Sequence, residues 1–113
     1  MLTNEIQDKL YQRLKTLDPE RVILFGSHAY GHAALDSDID LLIVTQDEHI
    51  PRDFKEKNAI YLRVAEALTD IEKLVPIDLI VHTKPMHQQF IAMRSMFSRK
   101  LLAEGKILYE KAH

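Results

Sequence analysis

The feature that most constrains the fold is an alternation of two hydrophobic periods along the chain. Residues 21–25 (Arg-Val-Ile-Leu-Phe), 39–44 (Ile-Asp-Leu-Leu-Ile-Val) and 77–81 (Ile-Asp-Leu-Ile-Val) are short, apolar and rich in β-branched side chains. Runs of that length and composition read as buried strands. Between and around them the apolar residues recur at helical spacing instead. Ile6, Leu10, Leu14 and Leu17 predict a helix over 4–17, ended by Asp18-Pro19. Ile60, Val64, Leu68 and Ile71 predict one helix over about 53–74, ended by Pro76. Met86, Phe90, Met93, Phe97 and Leu101 predict another, its stripe read as core with methionine as an adaptable filler. Gly105 is placed for a C-terminal cap before a last strand over 107–109. Residues 26–38 read as a loop containing a short helix. The order is that of an α/β (α+β) chain, with helices flanking a small mixed sheet.

Composition narrows the class. At 113 residues, 46% hydrophobic and 28% charged, the chain fits one folded domain spanning 1–113. It holds no run long and apolar enough for a membrane span and no signal-peptide pattern at its start, so a cytoplasmic protein is expected. Zero cysteines exclude disulfides, thiolate metal sites and cysteine nucleophiles. A net charge of −2 gives no reason to expect direct nucleic-acid binding. The charge is unevenly spread, with 9 Lys/Arg against 15 Asp/Glu in residues 1–83 and 6 against 2 in residues 84–113. The basic tail reads first as a solvated helix face, and otherwise as a surface for phosphate or an acidic partner.

The chemistry sits at the starts of two strands. Asp38 and Asp40 are at i and i+2, so their carboxylates project from one face, while Ile39 and Leu41 point into the core and fix them. Two like charges held side by side call for cations, and hard oxygen donors suit Mg²⁺ or Mn²⁺. Asp78 stands inside the apolar run 77–81, where a lone carboxylate is costly unless paired or metal-bound. If its strand neighbours that of Asp40, three carboxylates meet. Gly26-Ser27 supplies the anion side. Gly26 permits close approach or positive φ, and Ser27 is placed to N-cap the short helix and turn N–H groups and a hydroxyl toward phosphate. Gly31 permits the turn at that helix's end. Together these residues predict a nucleoside triphosphate poised for in-line attack at its α-phosphorus.

Gly26-Ser27, a ten-residue gap and Asp38-Ile39-Asp40 resemble the signature of the polymerase-β-type nucleotidyltransferases. Residues 26–31 (Gly-Ser-His-Ala-Tyr-Gly) and 37–41 (Ser-Asp-Ile-Asp-Leu) are similar to its smallest branch, the MNT proteins, as are Asp78 and the closing segment 104–110. The resemblance implies the polymerase-β-like nucleotidyltransferase fold and, as partner, a helical HEPN toxin neutralised by transfer of AMP from ATP to a tyrosine. It implies further that Asp38 and Asp40 bridge two Mg²⁺ ions, that Asp78 ligates the catalytic metal and helps deprotonate the attacking hydroxyl, and that Gly26 and Ser27 hold the β- and γ-phosphates. Where the family often has Arg, this chain has Tyr30.

Other readings compete. The chain could be a binding-only antitoxin, or could modify a small molecule such as an antibiotic, although it has little room for an added substrate domain. His28 and His32 have the i, i+4 spacing of a metal pair without a third ligand; a solvent-exposed or phosphate-facing His28 is favoured. Asp36 and Ser37 read as the turn before the strand, and His82 as a strand-end histidine with its own partner. Tyr30 and Tyr109 are candidate self-modification sites. Helices on so small a sheet leave apolar surface for a helical partner or a second copy.

Overall fold

The computed structural model describes residues 3–31 and 37–112. Four strands form one sheet in the order β3-β2-β1-β4: β1 (Arg21–Phe25), β2 (Ile39–Val44), β3 (Ile77–His82) and β4 (Lys106–Glu110). β1 runs antiparallel to both β2 and β4, and β2 runs parallel to β3, so the sheet is mixed, as the alternation predicted.

Alternate residues of each strand face opposite layers. Val22, Leu24, Ile39, Leu41, Ile43 and Val81 point to one side and meet Leu10 and Leu14 of α1 (Asn4–Leu17). Ile60 and Val64 of α3 (Phe54–Ala67) and Ile71 of α4 (Thr69–Glu72) complete that layer. Ile23, Phe25, Leu42 and Val44 point to the other side, where Leu101 is buried and Ile80 and Phe90 lie partly buried. That second layer is built by α5 (Lys84–Met93) and α6 (Met96–Glu104), while α2 (Ser27–Tyr30) buries Ala29 in the first layer and packs Tyr30 against both.

The caps explain where helices start. Thr3, Asp53, Thr83 and Ser95 each accept a backbone N–H three residues on, the side-chain capping that replaces a missing helical bond. α1 stops at Asp18, which takes a left-handed conformation with φ 50° just before Pro19.

Two helices predicted as continuous are broken. The 53–74 helix ends at Ala67, because Leu68 leaves helical geometry and the Thr69 hydroxyl donates to the carbonyls of Ala65 and Glu66. Side-chain donation to carbonyls that a continuing helix would use competes with its ladder. The 86–101 stripe is interrupted at Arg94, which has φ 50°, and Ser95 then caps α6. The break turns the stripe: Leu101 stays fully buried and Met86 and Phe90 are partly buried, whereas Met93 and Phe97 are exposed, so part of the expected core face is surface. Gly105 does end α6, but with extended rather than left-handed backbone. What demands glycine there is space, since a Cβ would collide with the Leu101 carbonyl oxygen and Ile23. Among the described residues no helix is long and apolar enough to cross a membrane.

Candidate active site

Parallel pairing decides the acidic cluster. Asp40 of β2 is registered directly against Asp78 of β3, so two carboxylates leave adjacent strands on the same face. Asp38 lies one residue before β2, held in place by the Ile39 N–H, which donates to the Pro76 carbonyl at 2.9 Å. On its other side Asp40 pairs with Phe25, the last residue of β1. The backbone thus brings all three predicted carboxylates and the Gly26 turn to one end of the sheet. Burial, together with the neighbouring Asp78 and Asp38, holds the Asp40 carboxyl above its ordinary range, while His28 pulls the other way. A carboxylate raised by its like-charged neighbours is one whose ionised form gains from a cation.

Gly26 is required twice over. Its φ of 72° and ψ of −158° lie in a region that is essentially glycine's alone. A Cβ there would also fall inside the Asp40 carboxylate. The turn and the acid are therefore packed into one unit. The expected cap is corrected in detail: Gly26, not Ser27, is the N-cap of α2, and its carbonyl accepts from Ala29 and Tyr30 at 3.0 Å each. Ser27 and His28 occupy the first two helical positions, whose N–H groups have no helical acceptor. Gly31 ends α2 in the left-handed conformation, φ 81°, as anticipated.

Several side chains take places that the sequence did not disclose. The His28 Nε2–H donates to the Ser37 carbonyl at 3.0 Å, tying α2 to the residue before Asp38. Lys100 of α6 carries its ammonium 5.0 Å from the centre of the Tyr30 ring, bringing positive charge to the place where Tyr30 departs from the family pattern. Only the topology could reveal that contact, as 70 residues separate the two. His32 and Asp36 lie outside the described residues. His82 shares the strand face of Asp78 but sits at the far end of β3, where its Nδ1 meets His87 Nδ1 at 3.2 Å and its ring lies against Phe90. It is a partnered strand-end histidine; burial, His87 and Lys57 lower its pKa to about 4. Tyr109 donates its hydroxyl to Asp18 at 3.3 Å, on β4 rather than at the acidic cluster.

The donor set suits hard divalent cations, being all carboxylate. Among the described residues, no three His, Cys, Asp or Glu side chains already converge into a metal-holding group. The backbone register supplies the juxtaposition of Asp40 and Asp78.

An antiparallel β1–β2 pair that presents a glycine turn beside paired carboxylates, with a third on a parallel neighbour, defines a class of nucleotide-handling folds. The profile of the family described as polymerase beta, nucleotidyltransferase, matches residues 4–113. The chain belongs to that family and is a nucleotidyltransferase. A putative nucleotidyltransferase from Sulfolobus solfataricus superposes with a TM-score of 0.62 at 16% identity, over 95% of this chain and 82% of that one. A toxin-antitoxin structure with AMP-PNP superposes with a TM-score of 0.52 at 21% identity, over 93% of this chain and 73% of that one. A tri-AMPylated Shewanella oneidensis HEPN toxin in complex with its MNT antitoxin also matches, at 18% identity over 97% and 74%, with a TM-score of 0.48. No protein of curated function matches the chain by sequence.

Proposed function

We propose that this chain is a minimal, MNT-type antitoxin that transfers AMP from ATP to a tyrosine of a helical HEPN toxin, with pyrophosphate leaving. The observation that carries the reading is the register of Asp40 against Asp78 with Gly26 packed on Asp40. The family membership and the AMP-PNP-bound toxin-antitoxin relative support it. Asp38, Asp40 and Asp78 are the residues assigned to hold two Mg²⁺ ions. Bound there, Mg²⁺ would neutralise the triphosphate and polarise the α-phosphoryl group.

The chain's own residues do the rest. Gly26 and Ser27 receive the β- and γ-phosphates through the open end of α2, with Gly26 letting the backbone approach and Ser27 offering its hydroxyl. His28 holds the Ser37 carbonyl and so fixes the approach to Asp38. Asp78 accepts the proton of the attacking tyrosine hydroxyl. The new bond joins that oxygen to the α-phosphorus, and the bond from the α-phosphorus to the pyrophosphate oxygen breaks. The electron pair leaves with pyrophosphate.

The test is to incubate the full chain with labelled ATP, Mg²⁺ and the product of the adjacent reading frame. A labelled toxin adduct that requires Asp38 and Asp40 supports the reading; its absence sinks it. A binding-only antitoxin is the second reading, motivated by the aromatic Tyr30 and by the basic tail of residues 84–113. Asp40→Ala separates the two: neutralisation equal to wild type would show that occlusion suffices.

A further inference from the structure

The turn between α5 and α6 displays an apolar patch that the fold leaves uncovered. Met93 is 71% exposed, Met96 81% and Phe97 47%, large values for residue types that chains tend to bury. The display is built into the backbone. Arg94 takes a left-handed conformation that costs a non-glycine residue energy, and Ser95 locks the turn by capping α6. Charge gives the patch a second character. Arg94, Arg99 and Lys100 are all exposed around it, and among the described residues none of them pairs with a carboxylate. Its place is the third observation. Phe97 meets Phe25 edge-on with centroids 5.6 Å apart, and Phe25 is both the partner of Asp40 and the neighbour of Gly26.

We infer that the α5–α6 turn is the seat of the acceptor protein. Met93, Met96 and Phe97 receive an apolar element of its surface, and Arg94 and Arg99 pair with carboxylates around that element. Docking there sets the acceptor's hydroxyl beside Asp40 and Asp78. The inference rests on the reading of the site as a protein nucleotidyltransferase. An acidic-rimmed partner is the occupant that the charges select. In a twofold contact between copies the same patch lies on both sides, and residues 93–100 hold no carboxylate, so Arg94 and Arg99 would be desolvated with no acidic group of the patch to meet them. A nucleobase carries no carboxylates to pair with those arginines.

The experiment titrates the same HEPN protein, without nucleotide, into the full chain by calorimetry. The variants are Met93→Ser/Met96→Ser and Arg94→Glu/Arg99→Glu, with Leu62→Ser, exposed on α3, as the control. Each patch variant is expected to weaken the complex about tenfold or more, with wild-type affinity falling as salt rises. Leu62→Ser, the thermal melts and binding of AMP-PNP are expected to stay unchanged. Partner affinity unaffected in both patch variants overturns the proposal. So does loss confined to AMP-PNP binding, which would make the patch a base platform, or a wild-type self-association that the variants abolish. No wild-type complex at all also overturns it. An adduct formed by variants with intact affinity would sink the docking seat alone, whereas weakened docking with no adduct in wild type would sink the transfer reading alone.

Discussion

The two faces of the sheet are lined by alternate residues of the same strands, yet they are finished differently. One face is covered over β2 by α1, α3 and α4, with Ile39, Leu41, Ile43, Val64 and Ile71 all fully buried. The other is sealed only toward one end, by Leu101 and Phe90 against Ile23, Leu42 and Val44. At its open end stand Asp40 and Asp78 instead of apolar side chains. A single-residue step along β2 therefore separates a position that holds the fold together from one that bears charge for chemistry. The closed face supplies the stability that lets the open face keep like charges side by side.

The comparison can be broken or sharpened by substitution. The largest effect expected is Asp40→Asn, which removes the charge of a proposed metal ligand while keeping shape. Transfer should fall about a thousandfold or more, as several kcal/mol of transition-state stabilisation is lost. The melting temperature should hold or rise, because the like-charge crowding is relieved; a marked drop in stability would show that Asp40 is structural. Gly26→Ala comes next. Its backbone strain alone should cost about 1–3 kcal/mol, and the clash with Asp40 should abolish AMP-PNP binding, read by calorimetry beside a denaturant melt. On the closed face, Leu41→Ala should cost about 2–5 kcal/mol of stability. Phe97→Ala, on a residue half in solvent, should cost markedly less in the same urea titration. Equal losses would erase the distinction between the faces.

A further effect concerns pH. Burial depresses His82 from an ordinary 6.5 to about 4 in the folded state, so between those values the unfolded chain binds the extra proton. His82 therefore contributes its full stability above about pH 6.5, and that contribution is lost as pH falls toward 4. Replacing it by Phe should flatten this part of the stability profile measured by thermal melts. An unchanged slope would mean that other groups set it.

Much of this arrangement was legible in the sequence because it depends on short periods. Short apolar, β-branched runs found the first three strands, parity put Asp38 and Asp40 on one face, and Asp78 stood out as a charge inside an apolar run. The breaks at Leu68 and Arg94 were not read, since the apolar spacing runs straight through both. Thr69, and the Ser95-x-x-Ser98 capping pattern after Arg94, were the local signals that marked them. The tie of His28 to Ser37 and the seating of Lys100 on Tyr30 depend on how elements pack, and no spacing in the chain encodes them.

The mixed order of the sheet also dictates how the site comes together in time. Gly26, Ser27, Asp38 and Asp40 lie on or between two sequence-adjacent antiparallel strands, whose connection of residues 26–38 is local in sequence and so closes at modest entropic cost. Asp78 arrives only after a crossover through α3 and α4, because a parallel partner cannot be reached by a hairpin. Its pairing is of long range and correspondingly slow. The half that carries Gly26, Ser27, Asp38 and Asp40 can thus form early as a local unit. The third carboxylate joins last, carried against the repulsion of its neighbours by the burial of Leu79 and Val81 on the strand's opposite face.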